Sequence, residues 1–230
     1  FSTLGVEFEI KDLGSLHYFL GIEVTSLHSG IHLSQTRYTV DLLHRSSMTA
    51  CKPCSIPVCA KTQLSALEGD PLSDFTEYHR MVGSLQYLTL TRPDITFAMH
   101  QVAQFMSAPR SSHLATVKRI LRYLKGTIDL GVVFRPSSGL LSLHAFSDAD
   151  WAGCPDTRRS TSGFCVFLGP NLISWSAKKQ PTVSRSSAES EYRSLAQVCA
   201  ETVWISHLLC ELNVPHSAPV TLYCDNLSTT

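Results

Sequence analysis

The sequence has no apolar stretch approaching the roughly 20 residues that a membrane-spanning helix needs, and its start has no secretory signal pattern. It has no excess charge of either sign: 19 Lys and Arg balance 19 Asp and Glu. A zero total neither points to nor excludes a nucleic-acid partner, because affinity follows local patches. The 8 cysteines, at 51, 54, 59, 154, 165, 199, 210 and 224, are too sparse for a disulfide scaffold. Most sit inside apolar runs and read as buried free thiols of a reducing compartment, cytoplasmic or nuclear. What is present is 230 residues with a 43% apolar fraction, enough for two cores. Phe1 in place of a methionine, and an end at Thr230 inside a motif, read as an internal piece of a longer chain.

The organisation is mixed α/β. Val6, Phe8 and Ile10 alternate with Glu7, Glu9 and Lys11, the period of a half-buried strand. A second strand is expected over His17 to Val24 and a short one over Ile31 to Leu33, then a helix over Arg37 to Arg45 with Tyr38, Leu42 and Leu43 inward. Residues 46 to 73, with Pro53, Pro57 and Pro71, read as a connector. Three helices follow. Asp74 with Glu77 forms a capping box for the first, carrying Tyr78, Met81, Val82, Leu85 and Leu88. Pro93 opens the second, carrying Ile95, Phe97, Ala98, Val102 and Phe105. The third, about His113 to Lys125, has the stripe Leu114, Val117, Leu121, Leu124 and stops at Gly126. Beyond residue 140 the order becomes β-β-β-α-β. Strands are expected over Leu141 to Asp148, Thr161 to Leu168 and Leu172 to Ser176. A long helix capped by Ser186 and Glu189 carries Tyr192, Leu195, Ala196, Cys199 and Val203, before a strand over Val220 to Cys224.

Three carboxylates fall at the ends of these elements: Asp148 after the first strand, Glu191 near the helix start, Asp225 after the last strand. Carboxylates gathered from separate elements repel one another, and divalent cations are what hold such clusters together. Spacing alone leaves this open, since surface Asp and Glu are common.

The motifs narrow it. Phe146-Ser147-Asp148-Ala149-Asp150-Trp151-Ala152-Gly153, Arg159-Ser160-Thr161-Ser162-Gly163 and Ile173-Ser174-Trp175-Ser176-Ala177-Lys178-Lys179-Gln180 occur in order, followed by Ser186-Ser187-Ala188-Glu189-Ser190-Glu191-Tyr192 and Tyr223-Cys224-Asp225-Asn226. Together they closely resemble the ribonuclease H domain of copia-type retrotransposon polyproteins. Lys11-Asp12-Leu13-Gly14 with Tyr18-Phe19-Leu20-Gly21-Ile22-Glu23-Val24 resembles the end of that family's reverse-transcriptase palm. Tyr87-Leu88-Thr89, Thr91-Arg92-Pro93-Asp94-Ile95 and Lys118-Arg119-Ile120-Leu121-Arg122-Tyr123-Leu124-Lys125-Gly126 resemble its thumb and connection.

The resemblance implies a reverse-transcriptase C-terminal part over residues 1–135 (palm edge, thumb, connection) and a truncated ribonuclease H-like fold over 140–230. It implies cleavage of the RNA strand of RNA–DNA hybrids, with Asp148, Glu191 and Asp225 as catalytic ligands of two Mg²⁺ ions. The partners implied are the hybrid, the template–primer duplex and the remainder of the Pol polyprotein, with no membrane. Asp150 reads as a structural neighbour of the site. Glu189 and Glu191 lie about 200° apart around a helix, so only one can enter it. The family's fourth acidic position and its polymerase Asp pair fall outside the sequence. A rival reading is therefore an inactive remnant that only binds nucleic acid.

Lys118, Arg122 and Lys125 sit opposite the apolar stripe of the third helix. A solvated face is the plain reading; given the resemblance, a phosphate track is expected, extended by Arg158, Arg159, Lys178 and Lys179. Cys51-Lys52-Pro53-Cys54 lacks the second pair that a structural zinc site wants and reads as incidental. Trp151, Trp175 and Trp204 read as core residues, Trp151 being the one placed to approach the site.

Overall fold

The computed structural model describes residues 14–59, 63–137, 139, 141–214 and 216–225. The strand expected over Val6 to Ile10 lies outside them. Among the described residues there are two four-stranded sheets, five α-helices and two hydrophobic cores.

The first sheet runs β1 (Tyr18–Phe19), β2 (Ile22–Leu27), β3 (Gly30–Ser34) and β4 (Val132–Phe134), all antiparallel. The single strand expected over His17 to Val24 is instead a tight hairpin. Leu20 and Gly21 take positive φ values of 46° and 76°, and no strand continues through that conformation. Four helices build the larger core: α1 (Thr36–Arg45), α2 (Thr76–Leu88), α3 (Thr96–Ala103) and α4 (Ser111–Gly126). Its centre is Tyr78, Leu85, Leu88, Ile95, Val102, Val117, Ile120, Leu121 and Leu124, each fully or almost fully buried. Pro93 opens a 3-10 turn, Pro93–Ile95, which leads into α3; Phe97 faces solvent and Phe105 lies past the end of α3. Asp74 caps the Thr76 amide at 2.9 Å, so the expected capping box with Glu77 gives way to a simpler turn before α2.

Arg92 ties this unit together. Its side chain is 2% exposed and makes a bidentate contact with Asp94 at 2.9 and 2.7 Å. It also donates to the Thr127 carbonyl at 2.8 Å and hydroxyl at 2.7 Å, pinning the start of α3 to the end of α4.

The second unit is built on β5 (Leu141–Ala149), β6 (Thr161–Leu168), β7 (Asn171–Lys179), α5 (Ser187–Glu211) and β8 (His216–Cys224). The sheet order is β7-β6-β5-β8. β5, β6 and β7 form an antiparallel meander, while β8 returns through α5 to lie parallel to β5. One face of the sheet packs Leu143, Ala145, Phe164 and Val166 against Val198, Ile205 and Leu209 of α5. The buried face of α5 is not the expected one. Tyr192 and Val203 are exposed, and Ser190, Glu191, Ser194, Val198 and Thr202 face inward. Trp204 is 59% exposed and Trp151 55%, so neither is a core residue. Trp175 bridges the units, its indole N–H donating to the Thr89 carbonyl at 3.0 Å.

Candidate active site

The site forms where β5, β8 and α5 meet. β5 carries Asp148 at its end because the strand alternates: Leu143, Ala145 and Ser147 turn to the core while Phe146 and Asp148 turn out. β8 aligns with β5 through Ser147↔Cys224, and the next residue along each strand is Asp148 and Asp225. α5 starts where the Ser186 hydroxyl accepts the Glu189 amide at 3.1 Å. This sets Glu191 against the sheet, 5% exposed, while Asp148 and Asp225 remain open to solvent.

Glu191 is held on both oxygens. Its Oε1 accepts the Ala149 amide at 3.1 Å, and its Oε2 faces the Cys224 thiol at 3.8 Å. Burial pushes its carboxyl above the ordinary range. The Ala149 amide pulls the other way, as does the Cys224 thiol, but the charges of Asp148 and Asp225 add to the rise. Glu191, Cys224 and Asp225 each offer a ligand atom, and these atoms lie within 4.8 Å of one another. Asp148 stands outside that group, though its charge reaches Glu191.

This is a cluster short of positive charge. A buried carboxylate with two carboxylate neighbours, met among the described residues by an amide and a thiol, fits a divalent cation. Glu191 and Asp225 offer the oxygen donors that hard divalent cations take, and Cys224, unanticipated from sequence, adds a softer sulfur beside them.

The neighbours divide as their geometry dictates. Asp150 accepts the Thr161 amide and returns its own amide to the Thr161 carbonyl at 3.2 Å, bracing the turn that follows β5. Burial raises its carboxyl, with the Asp148 charge adding to the rise against the Thr161 and Gly153 amides. Glu189 points away: it takes the Arg185 amide at 2.7 Å, in place of the expected Ser186 amide, and pairs with Arg193 at 2.7 Å. Ser194 and Gln180, which sequence reasoning gave no role, are buried beside the site. No sequence signal singled them out: Ser190 and Ser194 lie off the apolar stripe expected for α5, and their burial shows only in the structure.

Of the seven residues of the expected basic track, Arg122, Lys125 and Lys179 contact other parts of the chain, and Lys118, Arg158, Arg159 and Lys178 are exposed. On α4, Arg122 Nε donates to the Lys52 carbonyl at 2.7 Å and Lys125 Nζ to the Cys51 carbonyl at 2.5 Å. Both cations thus hold the connector instead of standing on a solvated face, and Lys118 alone of the three is exposed. Arg158, Arg159 and Lys178 are exposed, whereas Lys179 Nζ rests on Cys154 Sγ at 2.7 Å. The Cys54 thiol turns to the carbonyls of Ile56 and Arg119, each at 3.4 Å.

Residues 2–60 match the family model described as "Reverse transcriptase (RNA-dependent DNA polymerase)". Over 228 residues, 99% of this chain, the sequence is 50% identical to the retrovirus-related Pol polyprotein from transposon RE1 of Arabidopsis thaliana. It is 34% identical over 98% of its length to the retrovirus-related Pol polyprotein from transposon TNT 1-94 of Nicotiana tabacum. The chain spans only 16% and 17% of these two relatives. It covers 84% of an uncharacterized mitochondrial protein of Arabidopsis thaliana, at 51% identity. No solved structure matches.

Proposed function

Because the chain belongs to the copia-type retrotransposon Pol polyproteins and carries a reverse-transcriptase-like part, we propose that residues 140–230 are a ribonuclease H-like unit cutting the RNA strand of RNA–DNA hybrids. Residues 1–135 then serve as palm edge, thumb and connection, gripping the template–primer duplex. The observation that carries the reading is the convergence of Glu191, Asp225 and Asp148 from a helix and two parallel strands onto one sheet end.

In this reading Asp148, Glu191 and Asp225 hold Mg²⁺. Bound divalent cations supply the Lewis acidity that hydrolysis of a phosphodiester requires. The chain's own contribution is arrangement. The Ala149 amide orients Glu191 so that its second oxygen faces Cys224 and Asp225, and the open flanks at Asp148 and Asp225 leave room for a phosphate. Arg158, Arg159 and Lys178, exposed on the same unit, suit contacts to the nucleic-acid backbone, with the hybrid recognised by shape and 2′-OH groups.

Incubating the chain with an end-labelled hybrid tests this. Cutting of the RNA strand alone, dependent on Mg²⁺ and lost in Asp148→Asn, is the expected result. Intact RNA at every Mg²⁺ concentration, with salt-sensitive hybrid binding retained, would favour the remnant reading, to which the position of Asp148 outside the tight ligand group lends support.

A further inference from the structure

The helix–sheet contact beside the carboxylates is polar where a core should be apolar. Farther along α5, Val198, Ile205 and Leu209 pack on the sheet in the ordinary way. In its first two turns the buried positions are Ser190, Glu191 and Ser194 instead, and both serines are wholly inaccessible. Buried hydroxyls contribute nothing to apolar burial and are costly unless bonded, so their bonds show what they are for.

Ser147 on β5 donates to Ser194 Oγ at 3.0 Å, and Ser194 donates onward to the Asp148 carbonyl at 2.9 Å. The next amide in the strand, that of Ala149, donates to Glu191. One peptide unit, between Asp148 and Ala149, is thus gripped at its C=O and at its N–H by two side chains one helical turn apart. A second strut runs through Gln180, 5% exposed. Its Nε2 donates to Ser162 Oγ at 3.0 Å and to the Ser190 carbonyl at 2.9 Å, while its Oε1 accepts Ser184 at 2.7 Å. Ser162 is the registry partner of Ala149, and Ser190 precedes Glu191.

We propose that Ser194 and Gln180 are positioning residues: they fix the helix that carries Glu191 to the strand end that carries Asp148, and so set the carboxylate spacing that a divalent cation meets. This rests on the metal-site reading above. Neither residue touches the cation. They hold the peptide plane from which Asp148 projects and the helix start from which Glu191 projects, the kind of outer support whose loss weakens metal affinity about 10- to 100-fold.

The test is Mn²⁺ binding by the whole 230-residue chain, followed by loss of the free-ion paramagnetic resonance signal. The unaltered chain, Ser194→Ala, Gln180→Met and Val198→Ala are compared, each with its melting temperature in chelator. Val198→Ala is the structural control, because it opens the apolar part of the same interface and its side chain makes none of the strut's hydrogen bonds. The expected result is a dissociation constant raised about ten-fold or more in Ser194→Ala and Gln180→Met. Val198→Ala is expected to melt earlier with unchanged Mn²⁺ affinity. Unchanged affinity in both polar variants overturns the proposal, and so does an equal weakening in Val198→Ala, which would mean that any loosening suffices. If one polar variant fails to fold, the other carries the comparison. Absence of saturable Mn²⁺ binding by the unaltered chain overturns the metal reading itself and the strut's purpose with it.

Discussion

Replacing Asp94 by alanine should cost the four-helix unit more than any surface substitution. The change leaves the Arg92 guanidinium, 2% exposed, without its carboxylate. Two of its four hydrogen bonds, those at 2.9 and 2.7 Å, vanish, while those to Thr127 remain. The Tyr123 hydroxyl, which donates to Asp94 at 2.8 Å, loses its acceptor as well. Breaking one side of a buried pair costs roughly 3–5 kcal/mol, because the remaining charge stays desolvated. Asp94 itself is 32% exposed, so water can reach the gap and the lower end, about 3 kcal/mol, is the expectation. With a urea slope of about 2 kcal/mol per molar, the midpoint falls by roughly 1.5 M. Far-ultraviolet circular dichroism reads it, since four of the helices belong to this unit. Burial alone would raise the Asp94 carboxyl, but the hydrogen bonds and charge of Arg92, with the Tyr123 hydroxyl, outweigh it and leave the carboxyl below the usual range. A depressed folded value means the stabilisation is complete above the unfolded value of about 3.9 and lost as pH falls through the folded one. The penalty of the variant should therefore shrink in strong acid. Replacing Arg92 by methionine along with Asp94→Ala should cost less than Asp94→Ala alone. A midpoint fall under about 0.5 M for the single variant would refute the reasoning.

Glu191→Gln should raise the melting temperature in chelator at neutral pH while abolishing Mn²⁺ binding. A carboxyl raised by burial destabilises the fold as pH climbs from its unfolded value through its folded one, and an amide has no charge to bury. An unaltered or lower melting temperature would count against it. Cys224→Ser should weaken Cd²⁺ more than Mg²⁺, each read by competition against bound Mn²⁺, because sulfur prefers the softer ion; equal weakening of both would sink this. His100 Nε2 accepts the Lys179 amide at 2.8 Å, joining the two units, and burial followed by the charges of Lys178 and Lys179 keeps its imidazole below the usual value. Stability should thus fall as pH drops below about 6.5 toward that lower value, and His100→Gln should flatten this part of a melting-temperature profile from pH 8 to 5. An equally steep profile in the variant would contradict it.

How far the sequence was legible depended on what each element buries. Thr161–Leu168 was read to its true ends because β-branched and aromatic residues fill a strand in the middle of its sheet. The motifs singled out Asp148, Glu191 and Asp225; the sheet brings Asp148 and Asp225 to adjacent strand ends, with Asp148 outside the tight group of Glu191, Cys224 and Asp225. The inward face of α5 was misread, because apolar periodicity cannot locate a face whose first turns bury serine and glutamate. Arg122 and Lys125 were read as part of a phosphate track because helical spacing shows the side of a helix but not the loop carbonyls that meet it. β4 went unread: three residues are too short for a periodic signal, and pairing with β3, far back in the chain, is what makes Val132–Phe134 a strand.

The parallel seat of β8 beside β5 sets an order of events. A parallel neighbour cannot be reached by a hairpin, so the chain must complete α5 before β8 can dock. Asp148 emerges from the ribosome early and waits, exposed, through the whole meander and the long helix; Asp225 arrives last. The carboxylate cluster is therefore absent from every partly made chain, and a contact between such distant segments is slow to form. A site built from β5, α5 and β8 thus forms only when all three elements are in place.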